Sequence, residues 1–140
     1  MKLYIDNHLN IDNDKSKLLG EFCLFCANKL PIIGNFTIKL VSERKPHGVI
    51  TTAAYEPGRG ICTVYSKNRA IPDVMRSIAH EMTHMMQDQL GLINGPIRDA
   101  GGFHEDQANA RAGELLKRFV KEKKDRNVIY ESIFKALNII

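Results

Sequence analysis

Residues 72–90 read PDVMRSIAHEMTHMMQDQL, and this segment frames the reading of the whole chain. Val74, Ile78, Met82 and Met85 recur at three- and four-residue spacing, the period of one helix face. Pro72 suits the first turn of that helix, where its missing N–H costs nothing. Gly91 suits the position just past the end, after Leu90. Asp73, Arg76, Ser77 and Gln87 fall on the side of His80 and His84 rather than on the apolar side. The helix thus offers one face to a core and another to chemistry.

Upstream the period changes from 3.6 to 2. In Asn35 to Val41, Phe36, Ile38 and Leu40 alternate with Thr37 and Lys39, which predicts a half-buried strand. Two further β-rich runs, Gly48 to Tyr55 and Ile61 to Ser66, flank Glu56-Pro57-Gly58-Arg59-Gly60, a turn of hairpin length. Thr51, Thr52, Ala53 and Ala54 are small or hydroxylated, so Gly48 to Tyr55 suits a sheet edge. The more apolar Ile61 to Ser66 suits an inner strand. Earlier still, Leu18, Leu19, Phe22, Phe25, Cys26 and Leu30 predict a helix over Asp14 to Leu30, capped by Asn13 or Asp14 and stopped by Pro31.

Downstream, Gly91 to Gly102 holds four glycines and Pro96 and reads as a loop. A helix is expected from about Phe103 to Lys123, with Ala108, Ala112, Leu115, Leu116 and Phe119 as its stripe. A last helix is expected over roughly Val128 to Leu137. The expected architecture is a single α+β domain over residues 1–140: an N-terminal helix, a sheet of about three strands, the histidine helix and the helix after it.

The bulk composition narrows the classes. At 140 residues the chain can bury a modest core without staples. No run of ~18 apolar residues is present, so no membrane span is expected. Met1 to Asp14 carries three aspartates and no apolar core, unlike a secretory signal. Three cysteines do not make a disulfide framework, which favours a reducing, cytoplasmic setting. Cys23 and Cys26 lie on an apolar helix face with no second pair nearby and read as buried thiols, as does Cys62. The net charge of +4 permits an acidic partner without demanding one. Lys117 to Arg126 holds six basic residues and two acidic ones. It lacks the aromatic interleaving of a base-stacking surface and reads as a solvated helix face rather than a nucleic-acid patch.

His80-Glu81-Met82-Thr83-His84 is an H-E-x-x-H motif. Residues four apart on a helix lie on one face, one turn above each other, so both imidazoles can reach one metal ion. Glu81 stands beside them without blocking the ligand positions. The expected chemistry is hydrolysis by a zinc-activated water, with Glu81 as general base and then proton donor to the leaving amine. A third protein ligand is needed. A glycine at 87 and a histidine at 90 would mark the metzincin extension, but Gln87 and Leu90 stand there. The segment His104-Glu105-Asp106-Gln107-Ala108-Asn109 offers the alternative, a glutamate on a following helix. Glu105 and its neighbour His104 both qualify by position. Small Ala108 and Ala112 would let that helix pack closely.

H-E-M-T-H followed by E-D-Q-A-N-A-R-A-G resembles the small gluzincin-type metallopeptidases with an E-x-x-A glutamate motif. It is especially similar to short phage-encoded peptidases assigned by motif, and the likeness runs from about Tyr55 to Arg118. The resemblance implies a zincin-like fold, one zinc per chain, Glu105 rather than His104 as third ligand, and a peptide or protein substrate that runs as a strand past the metal. It also carries a rival reading, a non-catalytic component of a phage particle that keeps the metal site. A nucleic-acid-associated protein using the basic helix is a further one.

Around this centre, Asn109 is placed to bond a ligand histidine or simply to pack. Gln87 is read as lining the cleft or solvated. His47, Tyr55, Tyr65 and Arg111 are candidates for stabilising the oxyanion. An extended substrate is expected to pair antiparallel with Gly48 to Tyr55, with Tyr55 or His47 near the scissile bond.

Overall fold

The computed structural model describes residues 1–43, 52–93 and 102–122. The elements are β1 (Lys2–Ile5), α1 (Asn13–Lys29), β2 (Thr37–Val41), β3 (Ala53–Glu56), β4 (Ile61–Tyr65), α2 (Ile71–Gln89) and α3 (Phe103–Glu122). Among the described residues the chain is α+β, with three helices and a four-stranded mixed sheet in the order β1-β2-β4-β3. The first three strands of that order run parallel, and β3 pairs antiparallel with β4 at the edge.

β1 was not among the expected strands. It spans four residues, with Leu3 and Ile5 half-buried and Lys2 exposed. Its alternation is real but too short to stand out. The parallel partner β2 is 35 residues away in register, Lys2 opposite Thr37, and is reached through α1. Asp6, just past β1, fixes the pairing by accepting from the Ser42 hydroxyl beyond β2 at 3.1 Å. Its carboxyl is lowered to about 2, chiefly by the His8 backbone N–H it accepts.

α1 is capped by Asp12, whose carboxylate accepts from the Lys15 N–H at 2.8 Å, rather than by Asn13 or Asp14. Both of those residues lie inside the first turn. Leu19, Phe22, Cys23 and Cys26 form its fully buried face. Phe119 of α3 meets Phe22 and Phe25 edge-on, with ring centroids 5.0 and 5.4 Å apart. Burial pushes the Cys23 thiol up to about 12 and raises Cys26 and Cys62 strongly, so all three stay protonated packing groups.

The Glu56–Gly60 turn closes the β3–β4 hairpin as expected. α2 begins one residue before Pro72 and ends at the Gly91 junction. There the Gly91 N–H donates to Asp88 O and the Leu92 N–H to Gln87 O, both at 2.9 Å. Gly91 has φ +73°, so this double reverse bond is a Schellman cap that only glycine takes without strain. Val74, Ile78, Met82 and Met85 are buried against the core. α3 buries the five residues expected of its stripe and leaves Lys117, Arg118 and Lys121 exposed. No described helix is long and apolar enough to cross a membrane. The helix expected over Val128 to Leu137, most of the glycine loop, and His47 lie outside the described residues.

Candidate metal centre

His80 and His84 project from consecutive turns of α2, their ring centroids 4.9 Å apart. Glu105, in the first turn of α3, brings its carboxylate to both: Oε1 is 2.6 Å from His84 Nε2 and Oε2 is 3.3 Å from His80 Nε2. One ligand atom from each of the three lies within 4.8 Å of the others, a set that could hold a metal ion. Close packing of α3 on α2 makes this possible. Ala108 and Ala112, one and two turns beyond Glu105, are almost completely buried.

Protonation decides whether the histidines can act as ligands. His84 Nδ1 is 2.8 Å from Gln87 Oε1, and Gln87 Nε2 donates to the His104 carbonyl at 3.0 Å and to Gln107 Oε1 at 2.8 Å. A backbone carbonyl only accepts, so the amide orientation of Gln87 is fixed and its oxygen must face His84. His84 Nδ1 therefore carries the proton. In the neutral ring Nε2 then offers a lone pair on the side where Glu105 offers a carboxylate oxygen, 2.6 Å away, and a proton or a metal ion can join the two. Two imidazole nitrogens and a carboxylate are a donor set that fits a metal. Burial, above all, holds the His80 imidazolium below its ordinary pKa, which favours the neutral, ligating ring. The Asn109 side chain is within hydrogen-bonding reach of that ring.

Glu81 is 7% exposed and lies 3.9 Å from His80 Nε2. It opens onto a cleft of about 390 Å³ lined also by Thr52, Ala53, Arg69, Asp73, Arg76, Ser77, His80, Glu105 and Asn109. A carboxylate positioned by burial at the mouth of a cleft, beside a metal-competent triad, can exchange a proton with whatever occupies the cleft. No protein-family model, curated protein or solved structure matches this chain.

The structure thus brings together His80, Glu81, His84, Glu105 and Asn109. His104 stays out of the group: its ring stacks edge-on with Phe103, and its Nδ1 is buried without a partner among the described residues. Gln87 is neither solvated nor part of the cleft wall. It is fully buried and works behind His84. Tyr55 does not face the cleft either. Its hydroxyl donates to Asp88 Oδ2, the same oxygen that accepts from the Gly58 N–H, and burial raises its pKa. This pair fastens the hairpin to the last turn of α2, which holds the edge strand over the histidine helix. Arg111 bonds Glu114 on its own helix and the Lys29 carbonyl, and neither it nor Tyr65 lines the cleft. Arg69 was not singled out in the sequence. It sits in the short connection before α2, where no periodicity marks a side chain's direction.

Proposed function

We propose that the chain is a zinc-dependent peptidase of the zincin-like, gluzincin type, with His80, His84 and Glu105 as the metal ligands. The observation that carries this reading is the convergence of the Glu105 carboxylate on both imidazoles of an H-E-x-x-H helix, with Glu81 beside them in an open cleft. Zinc, when bound, supplies a Lewis acid that acidifies water and polarises a peptide carbonyl. Glu81 takes the proton of the attacking water and delivers it to the leaving amine. Gln87 fixes the His84 tautomer, and the closed α2–α3 contact holds Glu105 in reach. The test is cleavage of a mixed peptide library by the zinc-loaded chain, with Glu81→Gln as control. A library left intact by fully zinc-loaded protein rejects the peptidase reading.

Gln87→Ala should lower zinc affinity by about 10–100-fold, the usual cost of removing the group that orients a ligand histidine. It strands the buried His84 N–H and leaves the His104 carbonyl without its donor. Competition with a chromogenic chelator measures this, and an unchanged affinity would mean that Gln87 does not set the tautomer.

The substrate is proposed to pair with β3. The Tyr65 N–H donates to Thr52 O, so Thr52 and Tyr65 form a hydrogen-bonded pair, and Ala53, next along, turns its backbone groups away from β4. Ala53 also lines the cleft. Ala53→Pro should therefore remove an edge donor and reduce turnover while zinc content and melting temperature persist. Ala54→Pro instead breaks the ladder to Thr63 and should lower the melting temperature. Full activity in a folded Ala53→Pro variant would show that this edge does not hold the substrate.

A further inference from the structure

Of the side chains considered for stabilising the oxyanion, Tyr55, Tyr65 and Arg111 do not line the cleft, and His47 lies outside the described residues. The cleft wall itself holds another donor. Ser77, His80, Glu81 and His84 stand at i, i+3, i+4 and i+7 along α2, so the four share one helix face. Bonds from Cα to Cβ lean toward the N-terminus of a helix. The His80 imidazole and the Glu81 carboxylate therefore reach back toward the turn that carries Ser77, and all three line the same cavity. Residues three and four apart on a helix have Cβ atoms roughly 5–6 Å from each other. A group that reacts beside His80 and Glu81 thus lies next to Ser77.

The Ser77 hydroxyl is committed on one side only. Its oxygen accepts from the Arg69 guanidinium at 2.8 Å. The same nitrogen of Arg69 donates to the Asp73 carbonyl at 3.1 Å, and its other terminal nitrogen donates to the Tyr65 carbonyl at 2.7 Å. Arg69 thus ties the end of β4 to the first turns of α2 and fixes the accepting side of Ser77 Oγ. A serine hydroxyl also has one hydrogen to donate. Among the described residues nothing accepts it: Asp73 O, the carbonyl four residues back, bonds Arg69 instead. Thr83 on the same helix shows the contrast, because its hydroxyl donates to Ala79 O at 2.8 Å. A guanidinium keeps its proton, and a charged donor on Oγ polarises the O–H and strengthens it as a donor in turn.

We infer that Ser77 is a catalytic hydrogen-bond donor to the oxyanion of peptide hydrolysis, with Arg69 as its positioning residue. The inference rests on the peptidase reading. As water adds to the peptide carbonyl, its oxygen bonds the carbonyl carbon, one proton passes to Glu81, and the π pair moves onto the carbonyl oxygen. That oxygen takes the negative charge, and the Ser77 O–H donates to it. Collapse restores the carbonyl, breaks the C–N bond and returns the proton from Glu81 to the amine. Ser77 keeps its own proton throughout and needs no base. A donor aimed at developing charge binds the transition state more strongly than the neutral carbonyl, so its loss falls on kcat rather than on KM.

The experiment uses zinc-loaded full-length protein and the best-cleaved sequence of the peptide library. That sequence is made as a fluorogenic substrate and as its phosphinic analogue, whose tetrahedral phosphinate stands in for the oxyanion. Ser77→Ala should keep its zinc, its melting temperature and its KM, since alanine is the better helix former. Its kcat should fall about 10–100-fold, the worth of one hydrogen bond to a charged oxygen. Its inhibition constant for the phosphinic analogue should rise by the same factor. Ser77→Thr keeps the hydroxyl and should recover most of the rate. Arg69→Gln should lower kcat in the wild-type background and cost little more in the Ser77→Ala background. The inference is overturned if Ser77→Thr is as slow as Ser77→Ala, or if the loss appears in KM while the analogue binds as before. An equal loss from Arg69→Gln in both backgrounds removes its positioning role. Cleavage by wild type and Ser77→Ala at one rate rejects the inference alone. A fully zinc-loaded wild type that cleaves no library peptide rejects the peptidase reading and the inference with it.

Discussion

Glu81→Gln is expected to keep its zinc and to hydrolyse peptides about 10²–10⁴-fold more slowly than wild type. The substitution preserves the volume and most of the hydrogen bonding of a side chain that is 7% exposed, so the packing beneath the cleft has little reason to change. It removes only the ability to accept and return a proton. Glu81 does not belong to the triad of ligand atoms, so metal content should stay near one per chain by elemental analysis. That combination separates a base from a ligand. If turnover persists at the wild-type rate in the zinc-loaded variant, Glu81 is not the base and the proton must leave by another group. If turnover and zinc disappear together, the carboxylate acts on the metal rather than on the water.

The helices of this fold and the hairpin were legible because each carries a long periodic signal or a strong turn. α2 reads from Pro72 to Gly91 almost residue by residue, and the apolar stripe of α3 is buried as its spacing predicts. β3 lies at the edge and β4 inside, as their side-chain sizes suggest. β1 was missed because four residues give two alternations, and its partner is set by the β1–α1–β2 crossover rather than by its neighbours in sequence. The cap of α1 was misplaced by one to two residues because Asp12, Asn13 and Asp14 are all good caps, and only the folded backbone chooses among them.

At the site, local spacing and tertiary placement separate cleanly. The pairing of His80 with His84 follows from one helical turn. The approach of Glu105 depends on how α3 crosses α2, which the sequence suggested through its small alanines and through the E-x-x-A resemblance. The role of Gln87 needed the structure. Its amide is oriented by a carbonyl on a different helix, and no pattern within α2 reports that contact. Tyr55 misled for the same reason: an aromatic hydroxyl on an edge strand looks available until Asp88, 33 residues away, is seen to hold it.

Glu105→Ala should weaken zinc binding by more than the roughly 10–100-fold of an outer-shell change, because it removes one of three protein ligands. His104→Ala should weaken it only mildly. The two residues are neighbours, yet the start of α3 turns the Glu105 carboxylate to 2.6 Å from His84 Nε2 and leaves the His104 ring against Phe103. What His104 contributes to the centre is its backbone carbonyl, which anchors Gln87 and survives substitution by alanine. Metal linkage gives a readout that needs no substrate. With free zinc at 100 times the dissociation constant, the folded wild type gains about 2.7 kcal/mol. A variant whose dissociation constant has risen above that zinc concentration gains almost none. Melting curves with and without zinc should therefore coincide for Glu105→Ala and stay well separated for wild type and His104→Ala. Each variant serves as its own metal-free reference, so the loss of the Glu105–histidine contacts in the apo fold does not enter the comparison. If the zinc-dependent shift instead survives in Glu105→Ala and vanishes in His104→Ala, the third ligand is His104 and the first turn of α3 must rotate on metal binding to present it.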